Sequence, residues 1–229
     1  MQHVTYLTDN HEQMWDDTLM MTVLPLAKIG LVLNRPSYVN EAKKQVLLNI
    51  KYLTDSKTGL WFHGYTFEGN HHFASALWAR GNSWITIVIP ELIELLKSEP
   101  GDFFREYLIE TLNAQVTKLA ELQHESGLWH TLLNDSTSYK ESSATAGFAY
   151  GILKAVRKRY LSSKFKAVGI NAIKAVIGQI DQQGELLNTS FGTGMGDTLQ
   201  FYKDIPLTPM PYGQAMAMMA LVEFSRLYY

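Results

Sequence analysis

The loop that decides the fold reads Thr-Gly-Leu-Trp-Phe-His at residues 58–63. It returns as Ser-Gly-Leu-Trp-His at residues 126–130, and in a weaker form as Gln-Gly-Glu-Leu at residues 183–186. The glycines of successive copies are 68 and 57 residues apart. This period is too long for the common short solenoid repeats, and it fits two helices plus a functional loop. The repeat therefore predicts an all-α fold of the α/α-toroid type.

Apolar residues recur at intervals of three and four along most of the chain, which is the spacing of amphipathic helices. No segment shows a competing strand pattern. Some of the predicted helices are rich in small and apolar residues and fit an inner ring; the others carry one charged face and fit an outer ring. Those expected in the inner ring begin near residues 17, 82, 141 and 213. The seven predicted helices cover residues 17–33, 36–54, 82–98, 101–123, 141–160, 163–181 and 211–228.

The composition excludes several classes of function. With 46% hydrophobic and 18% charged residues, the chain fits one globular domain over residues 1–229. A net charge of −2 argues against binding to nucleic acid or to an anionic membrane. The absence of cysteine excludes disulfides and thiolate metal sites. The chain start has no signal-peptide pattern, and no apolar run reaches membrane-span length. We therefore expect a soluble, cytoplasmic protein.

Polar and aromatic residues collect where the inner helices are predicted to begin. Because the inner helices of such a ring start on one face, residues far apart in the sequence should meet around one central mouth. Aromatic rings can cover the apolar face of a sugar, and arginine can pair with a carboxylate. The pattern therefore indicates a pocket for an acidic sugar. The residues expected there are Asp17, His63, Trp78, Arg80, Trp84, Trp129, His130 and Glu141.

Six ordered blocks carry a family resemblance, and they lie at residues 13–21, 38–42, 58–64, 78–84, 139–146 and 212–214. In this order they resemble the unsaturated rhamnogalacturonyl hydrolases, glycoside hydrolase family 105, whose cousins are the unsaturated glucuronyl hydrolases of family 88. The resemblance implies an (α/α)6 barrel. It also implies an enzyme that removes a 4,5-unsaturated uronic acid from the non-reducing end of acidic, pectin-derived oligosaccharides such as those of rhamnogalacturonan.

The resemblance also implies roles for single residues. Asp17 matches the aspartate of the family's Trp-x-Asp-Thr-Leu block and is expected to act as general acid and base, with a pKa raised by an apolar site. His63 is expected to hydrogen-bond substrate or water. Arg80 is expected to bind sugar oxygens or the uronate carboxylate. The tryptophans assigned to the sugar subsite are Trp15, beside Asp17, and Trp78 and Trp84.

Each of these assignments has a structural alternative. Asp17 could be a helix N-cap or a first-turn carboxylate that the helix dipole favours, although Asp16 is the expected helix cap. His63 could be a structural histidine, and Arg80 could form a structural ion pair or cap. Trp129 is better explained as a core residue than as a site residue. Glu141 is at least as well explained as a capping residue or an inner-ring hydrogen-bond partner as it is by a catalytic role.

The implied chemistry requires no metal and no organic cofactor. The pair His71-His72 has no third metal ligand at a suitable spacing, so we expect it to lie on the surface or the rim. No phosphate-binding loop and no Ser-His-Asp order is present.

The chain departs from the family in length. A complete ring needs twelve helices and seven are predicted, so about five N-terminal helices, or about 120 residues, are expected to be absent. The family's second aspartate would lie in that segment and has no counterpart here. Thr66, where many relatives have an acidic residue, leaves substrate preference open. Three interpretations of the shorter chain remain. It could fold as an open arc of helices without activity, or such an arc could complete its ring as a homo-oligomer. It could also keep a site that binds acidic oligosaccharide without hydrolysing it.

Overall fold

The helices of the computed structural model, which describes residues 3–4 and 9–228, lie close to where the apolar periodicity predicts them. A π-helical turn, Leu19–Val23, runs directly into the first α-helix, and a 3-10 turn, Ser163–Phe165, runs into the sixth. The α-helices within the described residues are α1 (Leu24–Val32), α2 (Pro36–Leu53), α3 (Ala79–Leu95), α4 (Phe103–Leu122), α5 (Ser142–Arg157), α6 (Lys166–Ile177), α7 (Leu199–Lys203) and α8 (Pro211–Ser225).

The helices form two layers. The inner row runs in the order α1, α3, α5 and α8, and α2, α4 and α6 pack behind α1, α3 and α5. Most side chains of α3 and α5 are buried, as expected for helices covered on several sides, whereas α2 and α4 bury only one face. The predicted α/α-toroid fold and its alternation of inner and outer helices are confirmed. Within the described residues the inner row has two ends, α1 and α8.

The inner helices α3 and α5 approach each other closely at a proline. Pro90 lies inside α3 and has no backbone N–H, so it cannot donate the helical hydrogen bond to the carbonyl of Thr86. Gly151 of α5 faces that carbonyl, and a Cβ atom at Gly151 would lie 2.2 Å from the Thr86 oxygen. The contact between these two helices therefore requires glycine at position 151.

The described residues contain three short antiparallel pairs of strands. They are β1 (His3–Val4) with β2 (Asp9–Asn10), β3 (Gln13–Trp15) with β4 (Gly64–Thr66), and β5 (Trp129–His130) with β6 (Lys140–Glu141). Two of them, β3–β4 and β5–β6, connect the start of an inner helix to the segment that follows an outer helix. These strands were not predicted, because segments of two or three residues are too short to show an alternating pattern. The count of seven helices was also low, since α7 is a single short helix inside a predicted loop.

Both ends of the inner row carry exposed apolar side chains. On α1, Val32 is 71% exposed and Ile29 is 47% exposed, and on α8, Met218 is 67% exposed and Val222 is 52% exposed. These helices are short, and none of the helices in the described part of the chain combines the length and the apolarity that crossing a bilayer requires.

Candidate active site

The site is built on the pairing of two strands that are far apart in the sequence. In the β3–β4 pair, Trp15 lies opposite Gly64, and the next residue, Asp16, donates its backbone N–H to the carbonyl of His63 at 2.9 Å. The backbone N–H of His63 in turn donates to the carbonyl of Ala76 at 2.9 Å. Backbone hydrogen bonds therefore bring the start of the first inner helix beside the end of the first Gly-Leu-Trp loop.

Asp17 and His63 meet as a consequence of this pairing. The Oδ2 atom of Asp17 lies 3.3 Å from Nε2 of His63, and Nδ1 of His63 lies 2.7 Å from the hydroxyl of Tyr202. The His63 side chain is 1% exposed and that of Asp17 is 16% exposed. Asp17 therefore presents its carboxylate to solvent, while His63 supports it from inside the protein.

The hydrogen bonds of Tyr202 indicate which nitrogen of His63 carries the proton. The Tyr202 hydroxyl accepts a hydrogen bond from the backbone N–H of Gly196 at 3.3 Å, and its own proton has two acceptors within reach, Nδ1 of His63 at 2.7 Å and Sδ of Met195 at 3.6 Å. The imidazole nitrogen is the closer of the two, and a thioether sulfur is only a weak acceptor, so we assign the proton to the contact with His63. Burial raises the pKa of Tyr202, so the hydroxyl keeps that proton. In this arrangement Nε2 of His63 carries a hydrogen and donates it to Asp17.

Aromatic rings surround the imidazole of His63. Its centroid lies 4.3 Å from that of Trp78 and 5.6 Å from those of Trp15 and Tyr202. The indole N–H of Trp15 donates to Oε1 of Gln13 at 2.9 Å. These contacts fix the ring of His63 in one orientation, because rotation of the imidazole would require the surrounding rings to move.

Asp16 does not cap the first helix with its side chain as expected. Its backbone carbonyl accepts from the N–H of Leu19 at 3.2 Å, whereas its carboxylate lies against the first turn of α3, where a Cβ atom at Gly81 would be only 2.0 Å from Oδ2. The residue is fully buried, and neither carboxylate oxygen has a hydrogen-bond partner among the described residues. Burial, and secondly the charge of Asp17, raise the pKa of Asp16 well above its ordinary value.

Arg80 lies in the first turn of α3 with its guanidinium buried under the loop at residues 190–193. The guanidinium carbon lies 4.7 Å from the ring centroid of Trp78 and 4.7 Å from that of Tyr212. Its acceptors are the carbonyls of Ser190 (2.8 Å) and Phe191 (3.2 Å) and the hydroxyls of Ser190 and Thr193, the last at 2.8 Å. Arg80 thus holds this loop in place, and the predicted contact with the sugar stays a prediction.

Glu141 is the N-cap of α5. Its Oε2 atom accepts from the backbone N–H of Ala144 at 2.6 Å, and Oε1 accepts from the hydroxyl of Ser143 at 2.7 Å and from the N–H of Ser190 at 2.8 Å. The same oxygen lies 3.8 Å from Nη1 of Arg80. The capping alternative for Glu141 is therefore confirmed, and the residue also fastens the loop that Arg80 holds.

The tryptophans predicted for the sugar subsite are mostly enclosed. Trp15 and Trp84 are each 6% exposed and Trp78 is 1% exposed. Trp15 and Trp78 contact His63, whereas Trp84 belongs to the main hydrophobic core. The stacking of these rings on a sugar stays a prediction, since their observed contacts are with protein.

Two residues expected at the common mouth lie elsewhere. Trp129 is fully buried, and its indole N–H donates to the carbonyl of Leu119 at 2.8 Å. His130 lines a separate cavity of about 270 Å³ together with Glu121 and His124. The second Gly-Leu-Trp loop therefore contributes no side chain from this pair to the Asp17 site.

The residues that sequence reasoning missed lie in one loop and in α7. Tyr202, which orients His63, lies in a segment where no helix was predicted. The loop at residues 191–196 reads Phe-Gly-Thr-Gly-Met-Gly. In this loop Met195 packs over β4, where a Cβ atom at Gly64 would be 2.1 Å from its Cε. Three glycines in alternation were the available signal, since such a stretch can approach another backbone closely.

The donor atoms of Asp16, Asp17 and His63 lie within 4.8 Å of one another, a spacing that a divalent cation could bridge. We interpret this cluster as a hydrogen-bonded acid site, because both ring nitrogens of His63 are used in hydrogen bonds, Nε2 with Asp17 and Nδ1 with Tyr202. His72 is outside the cluster and contacts the carbonyl of Tyr52 through Nε2 at 2.7 Å. The expectation that no metal is required stays a prediction.

Comparison with known proteins places this geometry in a family. The model of glycosyl hydrolase family 88 matches residues 1–228. The unsaturated rhamnogalacturonyl hydrolase YesR of Bacillus subtilis (strain 168) is 30% identical over 213 residues, which are 93% of this chain and 60% of that protein.

Solved structures agree with this assignment. A possible member of the GH105 family from Salmonella enterica serovar Paratyphi A is 62% identical, with a TM-score of 0.99 over 100% of this chain and 61% of that chain. A family 105 glycoside hydrolase of C. acetobutylicum, 24% identical over 95% of this chain and 66% of that one, shares the fold with a TM-score of 0.86. The chain spans about 60% of the length of YesR and of the Salmonella protein. By its sequence blocks, its fold and these matches, the chain belongs to glycosyl hydrolase family 88.

Proposed function

We propose that this chain acts as a glycosidase that releases a 4,5-unsaturated uronic acid from the non-reducing end of rhamnogalacturonan-derived oligosaccharides. The observation that carries the proposal is the partly exposed carboxylate of Asp17, which a buried and oriented His63 supports at 3.3 Å. The name of the related YesR, an unsaturated rhamnogalacturonyl hydrolase, supports the choice of substrate.

The chemistry needs one carboxyl group in two protonation states. Asp17 donates its proton to C4 of the C4=C5 double bond, and positive charge develops at C5 and the ring oxygen. Water then adds at C5 and returns a proton to the Asp17 carboxylate. The resulting hemiketal opens to a ketone at C5, and C1 expels the remaining sugar as an alcohol. One aspartate thus acts as acid and then as base, unlike the pair of carboxylates in most glycosidases.

His63 and Arg80 have distinct parts in this proposal. The hydrogen bond from His63 to Oδ2 fixes the plane of the Asp17 carboxylate, so that the carboxyl group meets C4 in one orientation. Contact of His63 with substrate or water is the alternative role. Arg80 contributes to sugar binding by holding the loop at residues 190–193 in place. Trp15 and Trp78 pack against His63 and form the wall of the site behind it.

The test follows the ultraviolet absorbance of the conjugated C4=C5 bond when purified protein is mixed with lyase-generated rhamnogalacturonan disaccharide. We expect the absorbance to decay, and we expect Asp17→Asn to slow the decay about a thousandfold. Asp204→Asn, at an exposed aspartate of the same size, is the control and should leave the rate unchanged.

Two results would contradict the proposal. One is a decay that Asp17→Asn leaves intact. The other is a folded protein that shows no decay with rhamnogalacturonan or glucuronyl lyase products. Calorimetric binding of the oligosaccharide without decay would instead favour the sugar-binding alternative. Because the chain spans about 60% of the length of YesR, activity of the chain by itself is part of what this experiment measures.

A further inference from the structure

The proposed reaction uses Asp17 and leaves its neighbour Asp16 without a role. Asp16 has no exposed surface, and both of its carboxylate oxygens lack a hydrogen-bond partner among the described residues. A buried polar group in this state is costly unless it serves another purpose or changes its charge. The burial is built into the fold, because glycine at position 81 provides the space that the carboxylate fills.

The position of Asp16 couples it to Asp17. Carboxylate atoms of the two residues lie within 4.8 Å of each other and of a ring nitrogen of His63. Two carboxylates at this separation and out of contact with water do not both ionise readily, because each charge raises the cost of the other. Adjacent carboxyl groups of this kind titrate as a pair.

The charged and titratable groups around Asp16 come from three further elements. His63 precedes β4, Arg80 lies on α3 and Tyr202 lies on α7. Arg80 opposes the negative charge, but its guanidinium donates to the loop at residues 190–193 and not to Asp16. Burial is the largest cause that raises the pKa of Asp16, and the charge of Asp17 is the second. The backbone N–H groups of Asp17 and Asp16 and the charge of Arg80 lower this pKa, but they do not outweigh burial.

We propose that Asp16 and Asp17 hold one proton between them at pH values where a lone aspartate is ionised, so that Asp17 remains available as an acid at a higher pH than a lone aspartate would. Asp16 is then a positioning residue for the proton, and Asp17 alone touches the substrate. Because the two carboxyls titrate as a coupled pair, the form with the proton on Asp16 and the form with the proton on Asp17 stay in equilibrium, and the acid form of Asp17 persists until the pair loses its last proton. The catalytic part of this inference rests on the proposed function.

The first test does not depend on activity. Carbon NMR of side-chain carboxyls should show Asp16 titrating well above the ordinary range of aspartate, near 4. In the Asp17→Asn variant the Asp16 titration should move to lower pH by about one unit or more, because the neighbouring charge is gone. A titration of Asp16 that Asp17→Asn leaves in place would overturn the pair and leave burial as the whole cause. An Asp16 that titrates near 4 in the wild type would overturn it too.

The second test uses Asp16→Asn, which has the shape of the protonated acid. A group whose pKa is raised by folding stabilises the protein below its unfolded pKa and loses that contribution as pH rises through its folded pKa. The melting temperature of Asp16→Asn relative to wild type should therefore increase from pH 4 upward. A constant difference would contradict a proton held by Asp16.

The third test joins the pair to catalysis. In Asp16→Asn the alkaline limb of kcat/KM should move to lower pH by about one unit or more, while the rate on the acidic side stays within a few fold of wild type. An unshifted limb in an active enzyme would overturn the catalytic part. If the wild type has no activity, the proposed function fails, and the NMR titration still decides whether the pair exists.

Discussion

The loop at residues 58–63 and the loop at residues 126–131 are built on the same backbone frame. Each has at its second position a glycine in the left-handed region, with φ of 75° at Gly59 and 85° at Gly127. Each places a tryptophan in the core with no exposed surface, Trp61 in the first loop and Trp129 in the second.

The backbone N–H of each of these tryptophans donates a hydrogen bond to the side chain of the fourth residue of the next inner helix. The N–H of Trp61 donates to Oδ1 of Asn82, the fourth residue of α3, at 2.8 Å, and the N–H of Trp129 donates to Oγ1 of Thr145, the fourth residue of α5, at 3.2 Å. Repetition therefore extends from the loop to the helix that follows it.

The loops differ two residues after the tryptophan. The first has His63, which contacts Asp17 and Tyr202, and the second has Thr131, whose carbonyl accepts from the N–H of Ala79 at 2.8 Å. The first loop continues into β4, which pairs with β3, whereas the second continues through β5, which pairs with the nearby β6. The comparison teaches that the repeat supplies the frame, and that one side chain and one strand partner supply the chemistry.

The largest expected effect comes from removing the hydrogen bonds by which Asn82 holds the first loop against α3. The side chain of Asn82 also donates to the carbonyls of Trp61 and Trp78, and Gln115 donates to it. Asn82→Ala leaves several buried groups unpaired and should lower the free energy of unfolding by about 3 kcal/mol, against about 1 kcal/mol for Thr145→Ala. Urea denaturation measures both. Equal losses would mean that the two loops are fastened equally well.

The second effect tests whether the chemistry belongs to the first loop alone. His63→Gln removes the imidazole that supports Asp17 and should lower kcat about a hundredfold. His130→Gln, in the second loop, should change kcat less than about twofold, because His130 lines a separate cavity. The absorbance assay measures both variants, and a similar loss in the two would contradict the division between the loops.

The third effect compares the glycines of the repeat. A Cβ atom at Gly127 would lie 2.5 Å from the carbonyl oxygen of Asn171, whereas at Gly184 it would meet nothing within 4 Å. Gly184→Ala should cost about 1 kcal/mol of stability through left-handed strain, and Gly127→Ala about 2 kcal/mol through strain and contact together. Thermal melting measures the order, and a larger loss at Gly184 would show that the weaker third copy is the more constrained one.

The smallest effect separates the two tryptophans. The indole N–H of Trp129 donates to the carbonyl of Leu119, but that of Trp61 has no partner among the residues described. Replacement by phenylalanine creates a similar gap at both sites and removes a hydrogen bond only at Trp129. Trp129→Phe should therefore be about 1 kcal/mol more destabilising than Trp61→Phe, measured by urea denaturation. The reverse order would contradict the assignment of these bonds.

Much of the fold could be predicted because its signals are long. Helical periodicity extends over a dozen residues or more in α2, α3, α4 and α5, and the repeat of the Gly-Leu-Trp loop predicts how they are ordered. The short elements could not be predicted, since β3, β4 and α7 offer at most five residues each to any periodic pattern.

The candidate site was predictable only where a sequence block carried it. The blocks predicted Asp17 and His63 as site residues, and the structure brings their side chains together. Asp16 was expected to cap a helix, and its burial was not predicted. The space at Gly81 that accepts its carboxylate is 65 positions away in the sequence and becomes visible only in three dimensions. Tyr202 escaped prediction for the same reason.

The joining of β3 to β4 by main-chain hydrogen bonds has a consequence for protein engineering. Main-chain bonds are indifferent to the identity of most side chains, so the register Trp15 to Gly64 should survive exchange of the residues that flank it. The backbone then holds positions 17 and 63 at a fixed separation, whichever side chains they carry. A combinatorial library at these two positions would sample new acid, base and nucleophile combinations on an unchanged backbone.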